Sequence, residues 1–307
     1  ISDISPNNET NFILKISGSE LQKICDVKNG VQAYTVGEGT PACTEKMKNE
    51  RVYHSNTPKD KNWVKYLDGV DVSRYSLGWS GQYIKYGKNL SRPRESDLFH
   101  GERLLVRQIP SPLPYCINAC YTNEHTINDN NSMIVKLIDS NYKLKFVLGI
   151  LNSTLISKWF AVKFGKLSRK IFPQFKVKEL RIFPIIKASK ENQIYIDSLV
   201  SYILFTKNNK SNFSNNLLYP SYFEQIIDGM VYELYFPELL KKHNREIIKH
   251  LGELPEFTDS MSDEQKMKIC KKVFDRLNDK EHPVRINLFY MNSIPEIAII
   301  EGKNENN

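Results

Sequence analysis

Two stretches of this sequence alternate cationic side chains with aromatic and apolar ones. Residues 83–109 read YIKYGKNLSRPRESDLFHGERLLVRQI, and residues 150–185 read ILNSTLISKWFAVKFGKLSRKIFPQFKVKELRIFPI. Residues 157–182 carry eight Lys and Arg against one Glu, a net charge of +7 where the whole protein has +8. Cations attract the phosphates of a polyanion, and the apolar residues between them anchor the surface to a core. The pattern predicts a nucleic-acid-binding surface, and the alternative is a basic face that only confers solubility.

Recognition of duplex DNA needs cations that position the phosphate backbone and donors that contact base edges. The residues expected to contact phosphates are Lys85, Lys88, Arg92, Arg94, Arg103 and Arg107, with a second cluster of Lys163, Lys166, Arg169, Lys170, Lys176 and Lys178. Arg and Gln side chains can bond guanine or adenine bidentately, and the candidates for base contact are Arg92, Arg94, Gln108 and Gln174.

Several of these candidates have a structural alternative. For Arg103 it is an ion pair with Glu102 or Asp97, and for Lys158 and Lys163 it is the solvated side of a helix. The aromatic residues of the second stretch are expected in the core rather than as platforms for base stacking: Trp159, Phe160 and Phe164.

The charge is unevenly distributed along the chain. Residues 1–186 hold 27 Lys and Arg against 17 Asp and Glu, whereas residues 187–307 hold 16 against 18. A change in periodicity occurs at the same place. The sequence therefore predicts two domains: a basic, mixed α/β domain over 1–186, which would carry the nucleic-acid-binding surface, and a helical module over 187–307.

The predicted fold class is α+β, a mixed α/β domain followed by a mostly helical module. Strands are expected at 83–87, 103–109, 115–121 and 132–138, and a long surface loop at 40–62. Helices are expected at 19–25, 144–164, 189–206, 221–236 and 262–278, the last with a Ser262–Gln265 capping box. A polar connection over 205–220 suggests that two of these helices are antiparallel. RINLF and EIAIIE near the C-terminus are expected to form a terminal strand pair.

Signatures of catalysis are scarce. The sequence contains no GxxxxGK[ST], GxSxG or HExxH string, and its five cysteines are scattered, which favours free thiols, a reducing cytoplasm and no metal site. Glu264-Gln265-Lys266 matches part of a nuclease motif, but a helix dipole accounts for acidic residues at that position. No apolar run has the length of a membrane span. The chain starts at Ile1, so we expect a piece of a longer protein.

Several ordered motifs resemble one family. YLDGVDVSRYSLGWSGQYIKYG with G-x-D-[IV]-x-R-Y at 69–75, LFHGERLLVRQI, ILNS at 150–153 and KELRIFPI occur in the order found in the TaqI-like C-terminal specificity domain. This domain is the target-recognition region of type IIG restriction-modification enzymes and related adenine-N6 DNA methyltransferases. FEQIIDGMVYELYF and HPVRINLFYMNSIPEIAIIEG resemble the C-terminal portion of the same enzymes.

The resemblance implies a division of labour. The family's S-adenosylmethionine loop (FxGxG) and adenine-holding NPPY motif do not occur here, so this chain is expected to bind double-stranded DNA without catalysing a reaction. A methyltransferase or endonuclease core, in the same polypeptide or as a partner subunit, would use S-adenosylmethionine, and Mg²⁺ if it cleaves DNA. The alternatives are a type I specificity subunit, disfavoured by the lack of an internal repeat, and a metal-dependent nuclease.

Overall fold

A computed structural model describes residues 10–165, 174–208 and 218–303. Its central sheet has four antiparallel strands, β2 (Cys25–Asn29), β8 (Arg103–Arg107), β9 (Ala119–Thr122) and β11 (Ser132–Leu137). Their order across the sheet is β2-β11-β8-β9. The predicted strands at 103–109, 115–121 and 132–138 are confirmed, although the middle one begins four residues late.

A second sheet contains β3 (His54–Ser55), β4 (Trp63–Leu67), β7 (Tyr83–Lys85) and β10 (Ile127–Asn128). Its order is β10-β4-β7-β3, with β10 parallel to β4 and the other pairs antiparallel. Two short antiparallel pairs complete the strands, β1 (Ser19–Glu20) with β12 (Pro184–Ile185) and β5 (Val72–Ser73) with β6 (Ser76–Leu77).

Helices cover one side of the central sheet and form the described structure after residue 186. The helices up to that point are α1 (Asn11–Leu14), α2 (Leu21–Ile24), α3 (Glu45–Asn49), α4 (Leu144–Leu151), α5 (Thr154–Phe164) and α6 (Val177–Leu180). Those that follow are α7 (Lys190–Asn208), α8 (Leu218–Tyr235), α9 (Pro237–Lys242), α10 (Asp263–Leu277), α11 (Pro283–Met291) and α12 (Pro295–Ile300). The predicted α+β class is therefore confirmed.

The central sheet separates two hydrophobic cores, because alternate residues of a strand point to opposite faces. Leu104 and Val106 of β8 face a large core that includes α4, α5, α7 and α8. Leu105 of β8 and Ile134 of β11 face a smaller core beneath the second sheet. The large core runs without interruption from Ile13 to Ile300. Packing is thus continuous across residue 186, and the domain boundary predicted there stays a prediction.

The predicted C-terminal strand pair is wrong, because both segments are helices. Pro283 and Pro295 occupy the first turn of α11 and α12, where a proline ring is already set for helical φ. The buried residues of α11 recur at helical spacing, namely Val284, Asn287 and Met291. Short apolar runs do not distinguish a strand from a buried helix by periodicity.

Two other predictions need smaller corrections. The helix expected over 144–164 is interrupted, because the Asn152 side chain turns to bond the backbone of Ala119 and Ser153 caps α5 by accepting from Ile156 N. The loop expected over 40–62 contains helix α3 and strand β3. The capping box of α10 is confirmed, with Ser262 and Gln265 bonding each other's backbone.

Candidate nucleic-acid interface

Polar side chains gather at one edge of the central sheet. Strands β2 and β8 both end there, at Asn29 and Arg107, because each is antiparallel to β11. Strand β11 begins at the same edge, where Ser132 lies opposite Arg107 and follows Asn131. Residues that are far apart in sequence therefore meet at adjacent strand ends.

Gln108 connects the segments that form this edge. Its side-chain Nε2 donates to Asn29 Oδ1 at 3.0 Å, and its backbone N donates to the Asn131 carbonyl at 2.8 Å. Its own carbonyl accepts from Phe175 N at 2.8 Å, which brings the neighbouring, exposed Gln174 to the edge. These contacts fix the Gln108 backbone and side chain before any ligand is present.

Arg94 joins the same edge through residue 30. It has a left-handed backbone (φ 67°), and its Nε donates to the Gly30 carbonyl at 3.1 Å, one residue beyond Asn29. A side chain at position 30 would collide with the backbone carbonyls of Asn128 and Asp129, so only glycine allows this close approach. The structure thus brings together four of the predicted residues in what we call the sheet-edge surface: Arg94, Arg107, Gln108 and Gln174.

The remaining predicted cations are mostly at the surface. Lys85 on β7 and Lys88 after it are exposed, as are Lys163, Lys176 and Lys178. Whether they contact DNA stays a prediction. Lys166, Arg169 and Lys170 lie outside the described residues.

Arg92 is paired within the protein. Its guanidinium donates to both carboxylate oxygens of Glu38, at 3.0 and 2.9 Å, and this contact lowers the pKa of Glu38. The pair is exposed, so Arg92 would have to leave Glu38 to make a bidentate contact with a base.

The prediction that Arg103 contacts phosphate is wrong. The side chain is fully buried and donates to the carbonyls of Gly101, Glu124 and Thr126 and to the Thr126 hydroxyl at 2.7–3.2 Å. Burial lowers the pKa of Arg103 to about 10. The predicted alternative, an ion pair with Glu102 or Asp97, does not form either, because backbone carbonyls take the donors.

A small open cavity of about 270 Å³ lies beside Arg107. It is lined by Asp68, Gly69, Val70, Arg107, Ile109 and Asn131. Asn131 is held in place because its backbone N donates to Asp129 Oδ1 at 3.0 Å and its side-chain amide donates to Asp129 Oδ2. Burial raises the pKa of Asp129 to about 6. The sequence places Asn131 only in a turn, and its uncharged amide does not mark it as a candidate for DNA contact.

Other motif residues lie inside the protein. Arg74 donates from Nε and Nη2 to the Asn152 carbonyl at 3.1 and 2.9 Å and forms an ion pair with Glu224 of α8. Lys207 of α7 binds the other Glu224 oxygen at 2.6 Å. Asp228, one turn further along α8, accepts from Thr154 and Tyr115. This buried polar network joins the sheet to the C-terminal helices.

Comparison with protein families identifies the segment that contains this surface. Residues 64–185 match the model of the TaqI-like C-terminal specificity domain. Residues 64–185 are therefore similar to that domain, and we refer to them as the specificity domain. The specificity domain supplies Arg94, Arg107, Gln108, Asn131 and Gln174 to the sheet-edge surface, while Asn29 comes from β2, which precedes it. The resemblance inferred from the motifs is thereby confirmed over this range.

Similarity to known proteins extends beyond residues 64–185. A protein of Methanocaldococcus jannaschii, by name a type II restriction enzyme and methyltransferase, is 28% identical over 228 residues. That alignment covers 73% of this chain and 19% of the relative, so the chain spans about a fifth of the relative's length.

Solved structures of restriction-modification proteins are also similar to the chain. The type IIL enzyme MmeI in complex with DNA is 12% identical, with a TM-score of 0.47 over 85% of this chain and 38% of that one. The HsdS subunit from Thermoanaerobacter tengcongensis is 12% identical, with a TM-score of 0.37 over 76% of this chain and 46% of that one.

The described residues show neither a membrane-spanning helix nor a cluster of metal ligands. Within residues 10–165, 174–208 and 218–303, every helix is too short or too polar to cross a lipid bilayer. Over the same ranges, no three His, Cys, Asp or Glu side chains are grouped so that they could hold a metal ion.

Proposed function

We propose that this chain recognises the DNA target of a restriction-modification protein. The observation that carries the proposal is the sheet-edge surface of the specificity domain, where cationic and amide side chains meet at adjacent strand ends. Amide and guanidinium groups are the side chains that bond adenine and guanine bidentately. Sites built on strand ends are held more precisely than sites on free loops, because the backbone on one side is fixed by the sheet.

Phosphate contacts would come from the exposed lysines around this edge. Lys176 and Lys178 follow Gln174 closely in sequence and are exposed, and Lys163 lies in the last turn of α5. Such cations release counterions from DNA on binding and so supply affinity for any sequence. The amide groups and Arg107 would then select among sequences.

The proposal assigns catalysis to other parts of the restriction-modification system. By the same proposal, an adenine-N6 methyltransferase core using S-adenosylmethionine, with or without an endonuclease, acts on the DNA that this chain positions. The buried network between Arg74, Glu224 and Asp228 supports the proposal, because it would hold the specificity domain and the helical segment in one orientation while DNA is bound.

Fluorescence anisotropy of labelled duplex DNA at several salt concentrations tests this function. Replacing Lys176 and Lys178 together by Gln should weaken binding to all sequences and reduce the slope of log K against log salt by about 2, since each phosphate contact contributes about 0.9. A matched control is Lys268 and Lys272 of α10, which are also exposed and lie in the acidic part of the chain. The same two changes there should leave the slope unaltered. Equal effects of the two double variants, or no duplex binding by the wild type, would refute the proposal.

A further inference from the structure

Arginines that bind DNA are of two kinds. A contact with phosphate needs only an exposed cation. A contact with a base edge needs a guanidinium whose donors are unused and whose backbone is held in place. The structure distinguishes these kinds among the arginines of the specificity domain.

Arg107 differs from the other described arginines of residues 64–185 because its guanidinium has no hydrogen bond or ion pair with any residue the structure describes. The others all donate to protein groups: Arg74 to Asn152 and Glu224, Arg92 to Glu38, Arg94 to Gly30, Arg103 to three carbonyls and a hydroxyl, and Arg181 to Val27. Within the described residues, all five donors of the Arg107 guanidinium are therefore unused.

The backbone of Arg107 is nevertheless fixed. It is the last residue of β8, it lies opposite Ser132 of β11, and its N donates to the Asn118 carbonyl at 2.9 Å. The next residue, Gln108, forms hydrogen bonds through its side chain, its backbone N and its carbonyl. Only the rotamers of the Arg107 side chain are lost when it binds a ligand, which favours a specific contact over a diffuse one.

The walls of the adjacent cavity are suited to a base pair rather than to a phosphate. Val70 is 65% exposed at the tip of a 3₁₀ turn, and Ile109 forms a second apolar wall. The turn that presents Val70 is held by Asp68 and Asp71, since Asp68 N donates to Asp71 Oδ2 at 2.8 Å and Asp71 N donates to the Asp68 carbonyl at 3.0 Å. An apolar side chain held at the surface beside a free guanidinium matches the mixture of polar edges and carbon atoms on a major-groove floor.

Asp68 adds an acceptor to the same cavity. It lines the cavity with Arg107 but forms no ion pair with it. In the major groove guanine offers the acceptors O6 and N7, and its partner cytosine offers the N4 amine as a donor. A donor fork and a carboxylate in one cavity therefore match a G·C pair, whereas a phosphate would be repelled by Asp68.

We propose that Arg107 and the cavity formed by Asp68, Val70, Ile109 and Asn131 are a base-recognition site for a G·C pair, with Arg107 donating to guanine O6 and N7. This inference rests on the proposed function. It differs from the phosphate contact expected for Arg107 from charge alone.

Selection of bound duplexes from a pool of random sequences tests the site, because the pool contains every short target. The wild type should select a motif that contains a G·C pair at one position which Arg107→Ala no longer specifies, with a loss of discrimination of roughly 10- to 100-fold at that pair. Arg107→Lys retains the charge but not the fork, so it should lose the same preference while non-specific affinity and the salt slope stay at wild-type values. Lys178→Gln is the control and should lower all affinities without changing the motif.

The outcomes separate the inference from the proposed function. A wild-type protein that binds DNA and selects a motif which Arg107→Ala leaves intact would overturn the inference alone. Full rescue by Arg107→Lys would also overturn it, because a phosphate contact needs only the charge. A wild type that selects no motif would overturn both. Thermal unfolding of the variants should match the wild type, since the Arg107 guanidinium has no hydrogen bond or ion pair with any described residue.

Discussion

The Asp228 carboxyl is a buried acid whose ionisation should destabilise the fold at neutral pH. It is 4% exposed and accepts hydrogen bonds from Thr154 N to Oδ1 (2.8 Å) and from the Thr154 and Tyr115 hydroxyls to Oδ2 (2.9 and 2.8 Å). Burial raises the pKa of Asp228 from 3.8 to about 6, because loss of hydration outweighs the nearby Arg74 cation and these hydrogen bonds. Asp228→Asn keeps the shape and removes the titration.

The expected magnitude follows from the two pKa values. Between pH 3.8 and about 6 the folded state holds a proton on Asp228 that the unfolded state has released. The stabilisation from this group is therefore fully present below pH 3.8 and is lost as the pH rises through about 6. At about 1.36 kcal/mol for each pKa unit, the full effect is about 3 kcal/mol, of which about 2 kcal/mol falls between about pH 4 and pH 7.

Urea unfolding of the wild type and Asp228→Asn at a series of pH values measures this directly. The unfolding free energy of the wild type minus that of the variant should fall by about 2 kcal/mol from about pH 4 to pH 7. Other titrating groups cancel in the difference, including His54, whose pKa burial lowers to about 3. A difference that is flat with pH would refute the reasoning. A difference that rises with pH would mean that the Arg74 cation, rather than burial, dominates at Asp228.

Two further predictions concern motif residues. Arg74→Met should lower the unfolding free energy by about 3–5 kcal/mol in urea titrations, because it leaves Glu224 buried with only part of its charge compensated. Arg92→Met is its control because it breaks a fully exposed pair, and it should leave the unfolding free energy nearly unchanged. Equal costs for the two variants would contradict the role of burial. Gly69→Ala should cost about 1–3 kcal/mol in thermal unfolding, because a Cβ there would lie 2.8 Å from Asn131 Cβ. Gly78→Ala is its control, with the nearest atom at 3.6 Å, and a similar loss there would show that the Gly69 effect is not steric.

Local signals in the sequence predict local structure well. The capping box of α10 depends on residues three apart, so Ser262 and Gln265 are sufficient to place its start. The error at the C-terminus also has a local origin. The runs around Ile286 and Ile297 are short and apolar, which is equally typical of a strand, and only the prolines that begin α11 and α12 favour a helix.

Burial is the property that the sequence does not reveal for the cations. Arg103 and Arg107 lie four residues apart on one strand, so their side chains are on the same face of the sheet. Both are cations, so the charge pattern of the sequence does not distinguish them. Arg103 is buried, and its guanidinium donates to the carbonyls of Gly101, Glu124 and Thr126. Arg107, in contrast, lies at the open end of β8. The pairing of β8 with β9 and β11 decides that Arg103 is buried and that Arg107 lies at the edge. That pairing depends on residues outside the strand, so the local sequence does not reveal it.

Part of the candidate interface lies outside the motifs, and this is one reason why the family was easier to predict than the site. Arg74, Asn152 and Asp228 gave the family resemblance, and all three lie in the buried network that fixes the helices against the sheet. Asn29 and Asn131 belong to no motif and occupy strand ends, where a side chain can change without disturbing the cores. Under the proposed function, buried polar contacts that fix the fold would leave the side chains at the strand ends available to select the DNA sequence.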